Sequence, residues 1–475
     1  MRILCLTFCL VNLASAAPPA KVSSAIKLLD AWIATQVAYR QQPGLSIAIV
    51  SDQEMIWAKG YGYADVDKRV PATPATIYRM ASHTKMFTAI AVMQLRDAGK
   101  LRLDDPVVKY LPWFKPQPAS PDDPPVTIRH LLTHTSGLPR EAAAPYWSDF
   151  NFPTREEVIR GVAIQHAVYA PETKWKYSNL ALAVAGEVVA TVSGEPYADY
   201  VRRHILDPLG MTSSSVDMPE AHRARLAAAY GRRLPDGPRE ALPFTDCKGL
   251  APAASLSSTA QDMAKFAMLQ FRSGKPGDAQ ILSGATLREM HRVHWMQPDW
   301  KMGWGIGFQT WREGDETFVG HGGSLAGYLT RTAISPESRF AVIVLTNSSD
   351  GDPGRYVSQA IKYVLPAITE AREKKDKPAP DAAWAKLEGR YRSVWGDAEV
   401  LVLDGELVSI APTADDPKES IAKLVPLGDG RFRLESKNGF SNDGEIVTFE
   451  SGADGAVTRM RVGYNYSRRL APGER

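Results

Sequence analysis

The chain has 475 residues, of which 44% are apolar and 23% are charged, and its formal net charge is +3 at pH 7. This balance is typical of a globular protein and excludes a fibrous repeat or a largely disordered chain, and the length predicts two or three compact units. Acidic and basic residues are interspersed along most of the chain without a basic arm or stripe, which excludes nucleic acid as a partner.

The first residues have the pattern of a secretory signal peptide. A single arginine, Arg2, precedes the apolar run Ile3–Leu13, and Ala14-Ser15-Ala16 supplies the small residues of a cleavage site. The run is shorter than the roughly 20 residues that a membrane-spanning helix needs. The sequence therefore predicts a signal peptide over residues 1–16, an exported chain in the periplasm or outside the cell, and no membrane span in the mature chain.

Cysteine usage fits an exported chain without disulfides. Cys5 and Cys9 lie within the predicted signal peptide, which leaves Cys247 as the one cysteine of the mature chain. No intramolecular disulfide can form there, so we expect the stability of the mature chain to come from its hydrophobic core.

A hairpin and a buried helix follow the predicted signal peptide. Gly44–Val50 and Met55–Tyr63 are rich in β-branched and aliphatic residues and are separated by a polar turn, which predicts two paired strands. Met86–Met93 is apolar on nearly every face at helical length, which predicts a helix buried on most sides. We expect the hairpin and the helix to pack together.

The middle of the chain, from about Asp105 to Met290, alternates proline-rich loops with helical stretches such as Leu180–Val192 and Ala260–Phe271. This pattern predicts a helical subdomain. Three strand-like runs and one helix follow, at Gly305–Trp311, Leu329–Ile334, Phe340–Leu345 and Tyr356–Leu365. We expect strands from the two ends of this domain, residues 17–369, to join in one sheet.

A change of composition marks the end of this domain. Glu370–Ala383 is rich in Lys, Asp, Pro and Ala and can bury little surface, which predicts an interdomain linker over residues 370–385. Beyond it, short β-rich runs alternate with Asp-Gly turns, at Leu387–Tyr391, Glu399–Leu403, Leu407–Ile410, Arg431–Leu434 and Ile446–Phe449. Residues 386–475 are therefore predicted to form a small all-β domain, a sandwich or a barrel.

Ser82 is the candidate nucleophile. It stands just before the apolar helix, with Lys85 three positions later on the same helical face, so the two side chains can meet. A serine hydroxyl needs a base to take its proton, and a lysine whose pKa is lowered by burial can serve. The alternative is a serine N-cap followed by a surface lysine, because a bare S-x-x-K is a small motif that often occurs by chance.

A second candidate element is Tyr177-Ser178-Asn179, in a loop that precedes the predicted helix from Leu180. Tyr177 can act as a base or proton shuttle if a nearby cation favours its phenolate, and Asn179 offers both an acceptor and a donor to a substrate amide or to Lys85. The alternative is a buried tyrosine followed by an asparagine helix cap.

The third candidate element is a glycine-rich segment, His321-Gly322-Gly323-Ser324, that leads into a strand. Glycines let a strand backbone approach a substrate closely, and backbone N–H groups there can stabilise an oxyanion. His321 can polarise Tyr177 or donate a proton. By itself, such a segment is also compatible with a plain turn.

The three elements in this order resemble the serine β-lactamase and penicillin-binding protein superfamily. Because the second motif begins with Tyr177, they are closest to its class C β-lactamase-like branch, which includes family VIII esterases, DD-peptidases and D-aminopeptidases. Thr127–Pro139 and Leu256–Phe266 also resemble that branch, and the likeness covers roughly Ser24–Ala367. The fold that it implies is α+β, a helical subdomain beside an antiparallel sheet flanked by helices.

The resemblance implies a role for each candidate residue. Ser82 is acylated, Lys85 and Tyr177 share the role of general base, and Asn179 positions the substrate together with the third motif, His321, Gly323 and Ser324. The N–H groups of Ser82 and Ser324 form the oxyanion hole. His321 stands where β-lactamases usually carry a lysine, which favours an esterase or a peptidase over efficient hydrolysis of β-lactams.

The predicted function is hydrolysis of a small ester, amide or peptide substrate, with esterase-type activity favoured. A periplasmic D-aminopeptidase or DD-carboxypeptidase is one alternative, and a β-lactam-binding protein that acylates slowly without turnover is another. The tail from about Lys386 resembles the lipocalin-like C-terminal domains of some D-aminopeptidases, although a small barrel used for stability or dimer contacts has the same pattern. The acyl group, the leaving group and the oligomeric state stay open.

No cofactor and no metal are predicted. His130 and His134 have the i, i+4 spacing of a metal pair on a helix, but no glutamate lies between them and no third ligand is evident. We expect them to stabilise the surrounding loop instead.

Overall fold

The computed structural model describes residues 19–272, 280–314, 316–372, 381–436, 442–471 and 473–474. The chain divides into two compact units, one built mainly from residues 29–365 and the other mainly from residues 366–411 and 418–472. The predicted signal peptide, residues 1–16, lies outside the described residues. No helix among the described residues is long and apolar enough to cross a membrane.

The larger unit holds the strands of a mixed α/β fold. They are β1 (Gly44–Ser51), β2 (Glu54–Asp65), β3 (Val70–Pro71), β4 (Tyr78–Arg79), β5 (Ala229–Tyr230), β6 (Ala241–Leu242), β7 (Ser257–Ser258), β8 (Trp295–Met296), β9 (Met302–Trp304), β10 (Gln309–Glu313), β11 (Glu316–Leu325), β12 (Tyr328–Ser335) and β13 (Phe340–Thr346). Nine of them form one antiparallel sheet in the order β3-β2-β1-β13-β12-β11-β10-β9-β8, and β4 with β7 and β5 with β6 form two small pairs. The sheet thus joins strands from both ends of the unit, because the first hairpin, β1 and β2, pairs with β13.

The helices lie mainly in this unit, although residues 20–28 and 366–372, which belong to the first and the last helix, group with the smaller unit. They are α1 (Ala20–Tyr39), α2 (Thr84–Asp97), α3 (Ile128–Thr133), α4 (Tyr146–Asp149), α5 (Arg155–Val162), α6 (Asn179–Ser193), α7 (Tyr197–Val201), α8 (Glu220–Arg223), α9 (Ala251–Ala254), α10 (Ala260–Gln270), α11 (Gly284–His291) and α12 (Pro353–Arg372). α2 is the predicted apolar helix, and it is buried along nearly its whole length against α6, α7 and α9. The ring of Phe87 on α2 stacks on Phe266 of α10, with centroids 4.5 Å apart.

One predicted strand is interrupted in the structure. The run Gly305–Trp311 was expected to be continuous, but β9 ends at Trp304 and β10 begins at Gln309. Gly307 between them has a φ of +76°, and a Cβ there would lie 2.4 Å from the Cβ of Ala89 on α2. The prediction was wrong here because the chain leaves the sheet to pack against α2.

The smaller unit is a closed antiparallel barrel, one of the two forms that the sequence pattern predicts. Its strands are β14 (Gly389–Ser393), β15 (Gly396–Leu403), β16 (Glu406–Ile410), β17 (Ala422–Gly428), β18 (Arg431–Ser436), β19 (Ile446–Ser451), β20 (Val457–Val462) and β21 (Asn465–Arg469). Alternate side chains, including Tyr391, Leu407, Leu424 and Phe432, fill the barrel core. Of the predicted linker, residues 370–372 belong to the end of α12, and residues 373–380 lie outside the described residues.

Candidate active site

Ser82 lies in the short 3₁₀ turn Ala81–His83, directly before α2. The residue before it, Ala81, has a φ of +47°, a left-handed conformation that is unfavourable for a residue with a Cβ. The turn is held in place because the Met80 N–H donates to the carbonyl oxygen of Leu256 at 2.8 Å. The residues on either side of Ser82 are buried while Ser82 itself is partly exposed, so the turn presents its hydroxyl to the cleft.

The hydroxyl of Ser82 is contacted by two of the predicted residues. Lys85 Nζ donates to Ser82 Oγ at 3.0 Å, and the Tyr177 hydroxyl donates to the same oxygen at 2.8 Å. Lys85 Nζ also donates to the carbonyl oxygen of Ala253 at 2.8 Å. The first two sequence motifs therefore meet on one oxygen atom.

Burial determines the protonation states of Lys85 and Tyr177, the two residues that contact Ser82 Oγ. The Lys85 side chain is fully buried, and this desolvation lowers its pKa to about 7, while the Glu141 carboxylate acts against the shift and Arg140 adds to it. Burial also raises the pKa of the Tyr177 phenol above its usual value. At neutral pH, Lys85 is thus partly a free amine, whereas Tyr177 keeps its proton.

Asn179 is oriented by a carboxylate that the sequence did not single out. Its Nδ2 donates to both oxygens of Glu141, at 3.0 Å each. The same carboxylate accepts the Tyr146 hydroxyl on Oε2 and Arg140 Nε, at 3.0 Å, on Oε1. Since the carboxylate accepts only, the Asn179 amide must turn its nitrogen toward Glu141 and its oxygen away from it.

The third motif runs along β11 and touches the nucleophile turn. A Cβ on Gly323 would lie 2.2 Å from the carbonyl oxygen of Met80 and 2.3 Å from Thr330 Oγ1. At such distances a side chain fits at this position only if the backbone moves. The strand can pass this close to the turn that carries Ser82 only because residue 323 is glycine.

Ser324 follows at the open side of this strand. Leu325 and Tyr328 close a two-residue turn between β11 and β12, so the alternation of an antiparallel ladder makes Ser324 and Leu329 a non-hydrogen-bonded pair. The Ser324 N–H therefore points away from β12, toward the side where β10 pairs with β11 only as far as Gly320. This is the orientation that a backbone donor to an oxyanion needs.

His321 is buried near Lys85 and Tyr177, and its imidazole is neutral. Its Nδ1 lies 2.6 Å from the carbonyl oxygen of Gly322 and donates to it, which leaves Nε2 as an acceptor. Burial, with Lys85 nearby, holds its pKa well below the usual range of histidine. Its ring centroid lies 6.3 Å from that of Tyr177, and Nε2 finds no hydrogen-bond partner within the described part of the chain.

Aromatic side chains pack around Tyr177. The ring of His134 stacks on it with centroids 4.4 Å apart, and Trp304 meets His134 edge-on at 5.2 Å. Trp304 in turn stacks on Trp175 at 4.7 Å. These rings fix the orientation of the Tyr177 phenol. Of the three, only His134 was indicated by the sequence, because it lies in the segment Thr127–Pro139 that resembles the family.

The two histidines with i, i+4 spacing have separate structural roles. His130 forms a capping box with Thr127 at the start of α3. His134 accepts the backbone N–H of Ser178 on Nδ1 at 3.1 Å and so supports the second motif. Among the described residues, no group of three or more histidine, cysteine and acidic side chains is arranged to hold a metal ion.

These residues border an open cleft of about 940 Å³. All the predicted site residues except the buried Lys85 line it, namely Ser82, Tyr177, Asn179, His321, Gly323 and Ser324. Its described lining also includes four large aromatic side chains, Trp147, Phe150, Trp175 and Trp304, and three charged ones, Arg140, Glu141 and Arg232. The structure thus brings the predicted residues together. It also shows four aromatic and three charged side chains in the same cleft lining that the motifs did not indicate.

A helical subdomain beside an antiparallel sheet, with three such motifs around one cleft, defines the serine β-lactamase and penicillin-binding protein superfamily. Residues 29–365 match the family model described as Beta-lactamase, and the chain belongs to this family. The resemblance found in the sequence is thereby confirmed.

Three solved structures are similar to this chain. The octameric penicillin-binding protein homologue from Pyrococcus abyssi is 28% identical, with a TM-score of 0.63, and the match covers 93% of this chain and 99% of that one. EstCE1, a hydrolase with promiscuous acyltransferase activity, is 25% identical, with a TM-score of 0.59 and coverage of 72% and 99%. The D-amino acid amidase from Ochrobactrum anthropi SV3, complexed with L-phenylalanine amide, is 26% identical, with a TM-score of 0.60 and coverage of 73% and 99%.

Curated relatives include the protein flp of Staphylococcus aureus, which is 26% identical over 327 residues, or 68% of this chain. The chain spans about 62% of the length of that relative. The family and the fold are therefore shared over the larger unit, and the family includes hydrolases such as the esterase and amidase neighbours.

Proposed function

We propose that this protein is a serine hydrolase that cleaves an ester or amide bond through an acyl-enzyme on Ser82. The observation that carries the proposal is the double contact on Ser82 Oγ, from Lys85 at 3.0 Å and from Tyr177 at 2.8 Å. A serine becomes a useful nucleophile when an adjacent base takes its proton. Lys85, with a pKa of about 7, is the neighbour that can hold a free amine at neutral pH.

In the acylation step, Ser82 Oγ bonds to the carbonyl carbon of the substrate while its proton passes to the Lys85 amine, directly or through the Tyr177 hydroxyl. The electron pair of the carbonyl moves onto its oxygen, where the N–H groups of Ser82 and Ser324 stabilise the negative charge. When the intermediate collapses, the bond to the leaving group breaks. The leaving group takes a proton from Tyr177, which regains one from the Lys85 ammonium.

Deacylation repeats these transfers with water. The water gives a proton to the Lys85 amine and attacks the acyl carbon, and the Ser82 oxygen leaves with a proton supplied through Tyr177. Because burial raises the pKa of Tyr177, the phenol is suited to relaying a proton, and the base in the resting enzyme is Lys85. In this proposal Lys85 is the base and Tyr177 the proton relay, whereas the family resemblance implies that the two residues share the role of general base.

Esterase-type activity is the form that we favour, because neutral His321 replaces the lysine that usually begins this motif in β-lactamases, and EstCE1 is a similar hydrolase. Hydrolysis of D-amino-acid amides or peptides is the second candidate, supported by the similar D-amino acid amidase. Slow acylation by a β-lactam without turnover is the third. We also propose that residues 1–16 direct export of the chain. The barrel is proposed to be a lipocalin-like accessory domain.

The experiment that tests the proposal follows Ser82 directly. Wild-type protein is mixed with p-nitrophenyl acetate, and we expect a burst of p-nitrophenol together with one acetyl group on the peptide that contains Ser82, detected by mass spectrometry. Ser82→Ala should lose both, and full hydrolysis by this variant would overturn the proposal. A panel of short esters, D-aminoacyl amides, a D-Ala-D-Ala peptide and a chromogenic cephalosporin then separates the three candidates.

A further inference from the structure

Two neighbouring turns at one end of the barrel expose large apolar side chains. The turn Val394-Trp395 joins β14 to β15, and the turn Gly463-Tyr464 joins β20 to β21. Because β14 also pairs with β21, both turns lie at the same end of the barrel, offset by about two residues or about 7 Å along the strands. Val394 is 94% exposed, Trp395 95% and Tyr464 97%, the three highest values for large apolar side chains in the described part of the chain. Single exposed apolar residues are common, but three at one end form a patch.

Three arginines form a row across the outer face of the barrel behind these turns. The strand register places Arg468 of β21 opposite Arg392 of β14 on one side and opposite Arg459 of β20 on the other. Residues paired in this way point to the same face, which is the outer one because the adjacent Tyr391 and Met460 are buried. Like charges directly opposite each other destabilise a sheet. This arginine row, which no run in the sequence shows, therefore favours an anion that reduces the repulsion.

The acidic residues of this part of the barrel do not neutralise it. β14, β20 and β21 carry six arginines and no acidic residue, whereas the flanking strands β15 and β19 carry three acidic residues and no basic one. Each of the three is ion-paired, in the pairs Asp397–Arg392, Glu399–Arg390 and Glu450–Arg461. Six arginines against three carboxylates leave these five strands with a formal charge of +3.

The size of the apolar patch fits a lipid surface better than a protein partner. Its three side chains can bury roughly 500 Å², at about 150–250 Å² for each aromatic one, whereas each partner in a standard protein interface buries about 800 Å². Tryptophan and tyrosine are enriched at the headgroup level of membranes, where the ring is in an apolar layer and its polar atom stays hydrated.

The spacing between the patch and the arginine row also fits a lipid surface. The row lies two to four residues, or about 7–14 Å, behind the turn residues. Apolar groups of peripheral proteins enter the boundary between headgroups and acyl chains by about 5–10 Å. The long arginine side chains are then at the level of the lipid phosphates, which they can bind through charge-assisted hydrogen bonds.

We propose that this end of the barrel binds an anionic lipid surface, with Val394, Trp395 and Tyr464 in the interfacial layer and the arginine row on the lipid phosphates. Binding of this kind is peripheral and reversible. The two turns and the row belong to the smaller unit, whereas Ser82 belongs to the larger one. Loss of lipid binding should therefore leave the hydrolysis of a p-nitrophenyl ester in vesicle-free buffer unchanged.

The test is co-sedimentation of the predicted mature chain, residues 17–475, with lipid vesicles. This chain is used because the apolar run Ile3–Leu13 would bind lipid by itself. The vesicles consist of phosphatidylcholine alone or with about one-third phosphatidylglycerol, whose negative charge attracts arginine. We expect binding to the anionic vesicles to be roughly 10-fold stronger than to the neutral ones and to weaken as salt is added. Equal binding to both, or binding to neither, would overturn the proposal.

Trp395→Ser tests the apolar patch. We expect this variant to bind the anionic vesicles roughly 10-fold more weakly, the effect of withholding one large apolar side chain from the interface. Trp300→Ser is the matched control, because Trp300 is 81% exposed at the turn between β8 and β9 of the larger unit. It should bind like wild type. Unchanged binding by Trp395→Ser, or an equal loss in both variants, would contradict the assignment to this patch.

The double variant Arg459→Gln with Arg468→Gln tests the arginine row. We expect it to lose roughly 10-fold or more in binding to the anionic vesicles, with little change on the neutral ones. The control removes two exposed arginines from β18 instead, Arg431→Gln with Arg433→Gln. It should bind the anionic vesicles nearly as wild type does. Equal losses in the two double variants would mean that total charge, and not the row, governs binding.

Two further measurements do not depend on how well these variants fold. Brominated phospholipid in the anionic vesicles should quench part of the tryptophan fluorescence of wild type, and that part should be absent from the conservative variant Trp395→Phe. Sedimentation equilibrium of wild type without vesicles tests for a second copy of the chain as the occupant. A dimer that dissociates in Trp395→Phe or Trp395→Ser, or quenching that is the same in wild type and Trp395→Phe, would overturn the proposal.

Discussion

Gly323 and Met80 lie so close together that a Cβ on the glycine would stand 2.2 Å from the methionine carbonyl oxygen. Met80 precedes the turn that carries Ser82, and Gly323 precedes Ser324, whose N–H points to the open side of β11. This contact therefore fixes the spacing between the nucleophile and the proposed oxyanion donor. It explains why the strand needs glycine at this position.

Gly323→Ala is expected to damage catalysis more than folding. The new methyl group must push β11 away from the Met80 turn, which costs about 1–3 kcal/mol of stability as in other overpacked sites. The displaced oxyanion donor should lower kcat by roughly 10²-fold or more, with a smaller change in KM. Burst kinetics with a p-nitrophenyl ester and urea unfolding measure the two effects.

Gly354→Ala is the matched control for that substitution. Gly354 lies in the first turn of α12, and a Cβ there meets no atom of the described residues within 4 Å. We expect unchanged activity and equal or slightly higher stability, since alanine has the better helix propensity. If Gly323→Ala behaved like Gly354→Ala, the close contact would not govern the oxyanion geometry.

Tyr177→Phe tests the proton relay while keeping the aromatic packing. The substitution removes the hydroxyl that donates to Ser82 Oγ at 2.8 Å but leaves the ring that stacks on His134. We expect kcat to fall by roughly 10²-fold to 10⁴-fold, the usual contribution of general acid–base catalysis, with KM nearly unchanged. Steady-state kinetics on a short ester measure both constants.

Tyr197→Phe serves as the control. The Tyr197 hydroxyl is also buried and forms a hydrogen bond with Thr88 Oγ1 on α2, at 2.7 Å, but Tyr197 does not line the cleft. This variant should lose about 1 kcal/mol of stability and keep its kcat. Equal losses of kcat in the two variants would show that packing, and not proton transfer, explains the effect of Tyr177→Phe.

The motif residues could be predicted from sequence because each lies in a short, ordered pattern. Ser82 and Lys85 are separated by one helical turn, so local geometry alone brings them together. Glu141 could not be found this way, because its contact with Asn179 joins residues 38 positions apart and depends on how the loop before α4 folds. Trp304 lies near Tyr177 because strand pairing in the sheet places the end of β9 there, and no local sequence pattern indicates this contact.

The fold shows the same division between local and long-range signals. The first hairpin and α2 were predicted because their apolar patterns are strong and continuous. β17 contains Pro426, and β21 is mostly exposed and polar, so neither shows the alternation that marks a half-buried strand. Their positions follow from closure of the barrel, which is a property of the whole unit.

The pH dependence of kcat/KM should report the pKa of Lys85, which its charged neighbours shift. The base is the neutral amine, so kcat/KM is expected to rise with pH through about 7. Arg140 lowers the pKa of Lys85 by charge repulsion, so Arg140→Ala should raise that pKa and move the acid limb to higher pH. Profiles of kcat/KM for an uncharged ester between pH 5 and 9 test this shift.

Arg232→Ala is the control for charge in the cleft. Arg232 lines the cleft, but it is not among the groups that shift the Lys85 pKa. Its removal should leave the acid limb in place. A limb that moves to lower pH in Arg140→Ala would contradict the assignment of this limb to Lys85.

Replacing Lys85 by methionine should abolish activity and reveal the energetic cost of the buried lysine. Burial lowers the pKa of Lys85 to about 7 in the folded protein, whereas an unfolded lysine titrates near 10.4. Between these values, the unfolded chain binds one proton that the folded chain lacks, so the stability of wild type rises with pH. Methionine does not titrate, and the variant lacks this contribution.

The quantity to measure is the free energy of unfolding of wild type minus that of Lys85→Met, from urea unfolding at several pH values. Other titrating groups are common to both proteins, so they largely cancel in the difference. The difference should increase from about pH 7 to about pH 10 by up to about 1.4 kcal/mol per pH unit and level off below pH 7, where Lys85 is protonated in both states. Lys100→Met, at an exposed position beyond α2, is the matched control. A flat difference for Lys85→Met would mean that the folded protein keeps Lys85 charged at neutral pH, and the base proposed for Ser82 would then have to be Tyr177.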